Sequence, residues 1–189
     1  MSSRGGWALG EAAERLWTVE TFLARGEQPG VREELVAGRI VARAPPRPVH
    51  GVIVQNAAFE IRKRLRPPCR VVGEAAVRID ETTLFEADLA VSCGRFEPKA
   101  ETVDPVLVVE VLSPSTRQLD LGLKADAYSE LPSCREIWLI DSERRWVRVW
   151  RRLAEGWSVS SPMRGSGRFE SAVLGDSIEL DALYEESGL

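Results

Sequence analysis

Histidine, methionine, tyrosine and cysteine are scarce in this chain: its 189 residues include one His, two Met, two Tyr and three Cys. A single histidine cannot build a histidine-rich metal cage, so any metal site must rest on other donors. Cys69, Cys93 and Cys134 are odd in number and widely spaced. They are read as forming neither a disulfide framework nor a CxxC zinc site, and a reducing cytoplasm is the expected home. Long apolar runs are also lacking. Val106–Val109 is far shorter than the ~20 residues that cross a bilayer, and the opening MSSRGGWALGEAAER has no apolar export core, so no membrane-spanning or exported chain is expected. Nor is there a basic excess. The formal net charge of −4 argues against nucleic-acid binding by bulk charge and leaves that task to local patches.

What is present is ordinary globular material, 44% hydrophobic and 29% charged, without repeats or linkers. The pattern predicts a flexible N-terminal extension over 1–16 and a single domain over 17–189. Thr18 is placed to cap a short helix ending at Gly26, and EELVAGRIVAR reads as a hairpin turning at Ala37-Gly38. Apolar residues at Val49, Ile53, Ala57, Ile61 and Leu65 recur every four positions, which marks a helix closed by Pro67-Pro68. Three valine-rich strands follow in RVVGEAAVRI, LFEADLAVS and VLVVEVL, then a helical pattern from Ser115 to Leu131. REIWLID, RWVRVWR and further short strands with a short helix complete the chain. This alternation predicts an α/β fold with a mixed β-sheet core flanked by helices and additional C-terminal β-hairpins.

Three charged residues break the apolar pattern. Glu110 lies inside Val106–Leu112, a stretch whose neighbours on both sides are apolar, so both strand faces should be covered. A buried, unpartnered carboxylate costs several kcal/mol or more, so Glu110 must meet a metal, a basic residue or a cleft. Asp88 has the same character before Leu89-Ala90-Val91, two residues after Glu86. Lys124 shares a helical stripe with Leu121, Tyr128 and Leu131, which carries an ammonium onto the face that packs on the sheet. Snorkelling, or a pair with Asp120, would explain Lys124 without function. Taken together, two acids and an inward amine suit metal-assisted phosphoryl hydrolysis. The acids hold a hard Mg²⁺, and the lysine orients water or stabilises transition-state charge.

At these residues the sequence resembles the Uma family of bacterial endonuclease-like proteins, within the PD-(D/E)xK superfamily of restriction-endonuclease-like fold. The likeness runs from Trp17 to about Arg151. It is carried by Trp17–Glu20, Glu34–Val41, Pro46–His50, Ala87-Asp88-Leu89 and above all Val108–Arg117 followed by Asp120, Gly122 and Lys124. The resemblance implies that Asp88 and Glu110 are the motif acids and metal ligands, joined by the Val111 backbone carbonyl. Lys124 then stands for a lysine moved to the helix from the strand position occupied here by Leu112. Glu34 is the candidate accessory acid, and His50 matches a recurring family histidine suited to phosphate binding or proton transfer. Two positions depart from the pattern: Ala87 replaces a usual proline, and Glu33 stands where an aromatic is common.

The expected activity is a Mg²⁺-dependent endonuclease, with Mn²⁺ able to substitute, cutting phosphodiesters in DNA. A homodimer would supply the two sites that a double-strand cut requires. Two alternatives stay open. One is a noncatalytic nucleic-acid-binding or regulatory module of the same fold, and the other is a metal hydrolase of a smaller phosphoester. Basic clusters around Arg62–Arg70 and Arg144–Arg152 are read mainly as a solvated helix end and stray strand arginines.

Overall fold

The computed structural model describes residues 16–26, 28–95, 97–114 and 120–189, with the side chain of Asp120 left out. Apart from Leu16, the expected N-terminal extension lies outside the described residues, as does the Ser115–Arg117 part of the motif stretch. Helix α1 (Val19–Ala24) starts where Thr18 and Thr21 exchange hydrogen bonds in a capping box. Strands β1 (Arg32–Val36) and β2 (Arg39–Arg43) form the expected hairpin. Its two turn residues, Ala37 and Gly38, have φ of 47° and 78°. A two-residue turn with both φ values positive matches the twist of the paired strands. Helix α2 (Pro48–Arg64) begins with proline in its first turn, and its Ile53, Ala57 and Ile61 stripe is fully buried.

The long antiparallel pair β3 (Cys69–Arg78) and β4 (Leu84–Cys93) leads to β5 (Leu107–Leu112), which is buried at every position. A π-helical turn over Asp120–Lys124 runs into α3 (Ala125–Glu130), so the described part of the expected Ser115–Leu131 helix does not open as a regular α-helix. Then come β6 (Glu136–Asp141), β7 (Trp146–Leu153), β8 (Gly156–Val159), β9 (Met163–Arg164), β10 (Arg168–Ser171), β11 (Asp176–Glu179) and α4 (Leu180–Leu183). The main sheet runs β2-β1-β4-β5-β6-β7-β8, with β3 on β4 and β9 on β7, while β10 and β11 pair separately. Only β5 and β6 pair in parallel among the described residues. The π turn and α3 connect them, as a parallel crossover requires. The sheet is therefore mixed, as expected.

Two cores lie on opposite faces of the sheet. The α2 stripe packs with Leu89, Val91, Leu107, Val109 and Val111. The α3 residues Ala125 and Tyr128 pack with Phe85, Ala87, Val108, Leu112 and Leu139. Strand alternation thus sends Glu110 to the α3 face, between Val108 and Leu112. β4 behaves differently. Phe85 and Ala87 belong to one core, whereas Leu89 and Val91 belong to the other. The switch falls at Asp88, opposite Glu74, whose φ is 47° and which has no ladder partner in the β3–β4 register. A local break of this kind re-aims a side chain without ending the strand.

The cysteine expectation needs correction. Cys69 and Cys93 stand directly opposite each other in the β3–β4 ladder, their Cα atoms 3.9 Å apart, and form a disulfide. Spacing alone hid this, because only the hairpin register brings the start of β3 beside the end of β4. Cys134 remains a buried free thiol, and burial pushes its pKa up to about 12. Thiol titration of denatured, unreduced protein should therefore find one reactive sulfhydryl per chain, and native protein none on the same timescale. Cys93→Ser should lower unfolding stability by on the order of 3 kcal/mol, as expected for opening such a loop. Three thiols in the unreduced denatured protein would contradict the bridge.

Candidate metal and phosphodiester site

The site forms where the ladders flanking β4 open. The β4–β5 register covers only Leu89 to Val91 against Val109 to Leu107, and β1 meets β4 at Leu35 and Leu84. Beyond those pairs, side chains take over the role of backbone acceptors. Asp88 Oδ2 accepts the Val111 N–H at 2.7 Å, and Glu34 Oε1 accepts the Glu86 N–H at 3.1 Å. Each acid thereby satisfies a strand amide that splaying would orphan. The gap becomes a cleft of about 240 Å³ lined by Glu34, Glu86, Asp88, Glu110 and Val111, with Arg32, Arg43, Arg47 and His50 on its walls.

Lys124 neither snorkels nor reaches solvent; its exposure is 0%. Its ammonium lies 2.7 Å from Glu34 Oε1 and 3.0 Å from Glu110 Oε1, and 3.4 Å from the Glu86 carbonyl. The Phe85 ring lies beneath it, 5.4 Å to the centroid, a cation–π contact. Glu110, 3% exposed, thus meets the basic residue that its sequence context demanded, and lines the cleft as well. Tyr128 donates to the same Glu110 Oε1 at 2.7 Å.

Asp88 is more open than Glu34 and Glu110, its side chain 12% exposed. His50, in the first turn of α2, brings Nε2 within 3.2 Å of Asp88 Oδ2. The structure therefore gathers Glu34, His50, Asp88, Glu110 and the Val111 backbone at one cleft, with Lys124 behind the acids. Among the described residues no three His, Cys, Asp or Glu side chains are arranged to hold one ion, and Glu34 is engaged by groups of the protein. Its Oε1 is taken by Lys124 and the Glu86 amide. Its buried Oε2 makes no hydrogen bond and faces Arg43 Nε at 3.3 Å.

Asp88 and Glu110 both offer carboxylate oxygens to the cleft, the donor type that suits a hard divalent cation. The wall arginines are partly engaged: Arg32 pairs with Glu86, and Arg47 lies 3.5 Å from Glu143.

Tyr128 and Arg43 were not singled out for chemistry from sequence. Tyr128 had a signal, since a hydroxyl one turn beyond Lys124 on an apolar stripe needs a buried acceptor. Arg43 had none without the hairpin register. Members of the two basic clusters make bonds within the protein, where the sequence suggested a solvated helix end and stray strand arginines. Arg64 pairs with Glu60 and Asp176, Arg152 donates to the Ser129, Leu131 and Cys134 carbonyls, and Arg148 lies over Trp146.

Comparison with known proteins agrees with this architecture. The family model Uma2, described as "Putative restriction endonuclease", matches residues 19–182. The uncharacterized protein slr1290 of Synechocystis sp. is 30% identical over 170 residues, covering 87% of this chain and 90% of that protein. The crystal structure of a "putative nuclease belonging to DUF820" from Anabaena variabilis superposes with a TM-score of 0.71. It does so over 88% of this chain and 97% of the other, at 19% identity, a likeness of fold. No helix among the described residues is long and apolar enough to cross a membrane.

The buried Lys124 pairs yield a stability prediction. Lys124→Met keeps most of the side-chain volume and strands two buried carboxylates, so urea unfolding should show a loss of about 3 kcal/mol or more. Adding Glu110→Gln should recover part of that loss, because it removes one of the two stranded charges. A Lys124→Met protein as stable as the wild type would contradict the buried charge cluster.

Proposed function

The chain belongs to the Uma2 family, and on that premise we propose that it is a divalent-metal-dependent endonuclease hydrolysing phosphodiester bonds in DNA. The observation that supports this reading is that Asp88 and Glu110 line one cleft walled by arginines, with the buried Lys124 ammonium in contact with Glu110. Asp88 and Glu110, with the Val111 backbone beside them, are the groups suited to hold Mg²⁺ or Mn²⁺. When bound, such a cation supplies Lewis-acid polarisation of phosphate oxygens and neutralises their charge.

The protein's own residues then act as follows. The Val111 amide and His50 fix Asp88 through Oδ2. Lys124, whose ammonium touches Glu110, contributes a preorganised positive charge near the phosphoryl group as negative charge builds on it. Arg32, Arg43 and Arg47 line the cleft, where guanidinium groups match phosphate geometry. His50 stands beside Asp88 at the wall, positioned to bind a phosphate oxygen or to pass a proton. Cleavage of both strands calls for two such sites and hence a pair of chains.

The test is cleavage by purified protein with Mg²⁺ of duplex DNA, single strands, RNA and nucleotides side by side. Duplex DNA is expected to be cut. Asp88→Asn should abolish cleavage and metal binding together, and Lys124→Met should slow cleavage about 10²-fold per folded molecule. Metal-dependent hydrolysis of nucleotides alone would point instead to a small-phosphoester hydrolase. Metal and DNA binding without any cleavage would point to a noncatalytic module.

A further inference from the structure

Tyr128 is one of two tyrosines in the chain, and its phenol is wholly buried against the sheet. Packing alone does not call for its hydroxyl. The ring stands edge-on to Phe85 at 5.7 Å between centroids, within a core of Ala87, Val108, Leu112 and Leu139. Phenylalanine would fill that space equally well without a polar atom to satisfy. The hydroxyl spends its proton on Glu110 Oε1 at 2.7 Å, a short charge-assisted bond. The same oxygen takes the Lys124 ammonium at 3.0 Å. Lys124 ends the π-helical turn and Tyr128 lies in α3 directly after it, so two successive turns of one connection hold the same carboxylate oxygen.

We propose that Tyr128 is a positioning residue for the metal site. By pinning Glu110 Oε1 together with Lys124, it arrests rotation of the carboxylate and fixes how Glu110 presents itself to a divalent cation in the cleft. Lys124 divides its ammonium among Glu110, Glu34 and the Glu86 carbonyl, so its hold on Glu110 is shared. The phenol is held by its ring, so its direction is set by packing. Partners that orient a metal-binding carboxylate in this way commonly account for 10–100-fold in metal affinity. The inference rests on the metal-dependent reading above and adds a residue that acts through Glu110.

The experiment is calorimetric titration of Mn²⁺ into metal-free wild type, Tyr128→Phe and Tyr184→Phe, with thermal melts of all three. Tyr184 is the control for loss of a buried phenol bond. Its hydroxyl ties Asp141 and Trp146 backbone together and touches none of the site's acids. Both substitutions keep the ring. Tyr128→Phe should weaken Mn²⁺ binding about 10-fold or more, whereas Tyr184→Phe should lower the melting temperature and leave Mn²⁺ affinity at the wild-type value. Equal Mn²⁺ affinity in wild type and Tyr128→Phe would overturn the positioning role while leaving the metal site intact. Absence of Mn²⁺ binding in the wild type would overturn the metal-dependent reading and this inference with it.

Discussion

One buried ammonium organises the centre of this molecule. Lys124 lies between Glu34 on β1 and Glu110 on β5, and it also reaches the Glu86 carbonyl on β4. Three strands and the connection from β5 to β6 therefore meet at one cation. An ion buried to this degree is tolerable only when its partners are charged and close, and both conditions hold. Leucine in place of Lys124 would pack against Phe85 as well but would set two carboxylates against each other inside the protein. The cluster is maintained by mutual neutralisation, at a place where well-packed apolar residues would commonly be at least as stable.

The acids also have a backbone role that couples the fold to the site. Where β4 parts from β1 and from β5, Glu34 and Asp88 accept the amides of Glu86 and Val111. The sheet can open there because side-chain oxygens replace missing carbonyl partners. That opening is the cleft. The face switch at Asp88, opposite the positive-φ residue Glu74, turns its carboxylate toward the gap. Site geometry and strand splay are thus one feature.

Local and periodic features of this arrangement were legible in the sequence. The Ala37-Gly38 turn, the α2 stripe, the burial of β5 on both faces and the inward aim of Lys124 all follow from spacing along one element. Features that depend on how two strands align were not. The Cys69–Cys93 bridge, the break at Asp88 and the reach of Arg43 to Glu34 exist only once registers are set. The π-helical turn before α3 is a third case, since the sequence there carries an ordinary helical pattern and tertiary packing decides the local winding. Glu34 illustrates the middle ground: its presence at the site was anticipated, but its engagement by Lys124 and Arg43 was not.

The family of the chain is that of restriction-endonuclease-like proteins, and the cleft carries an oxygen donor set with a buried cation behind it. The proposed metal site requires Asp88 and Glu110 to share one divalent ion. The most direct measurement is anomalous diffraction from crystals of the wild-type protein soaked in Mn²⁺. One strong anomalous peak is expected in the cleft, coordinated by carboxylate oxygens of both Asp88 and Glu110 and lost in Asp88→Asn crystals. A peak elsewhere on the molecule, or a cleft without manganese at a concentration that saturates binding in solution, would contradict it.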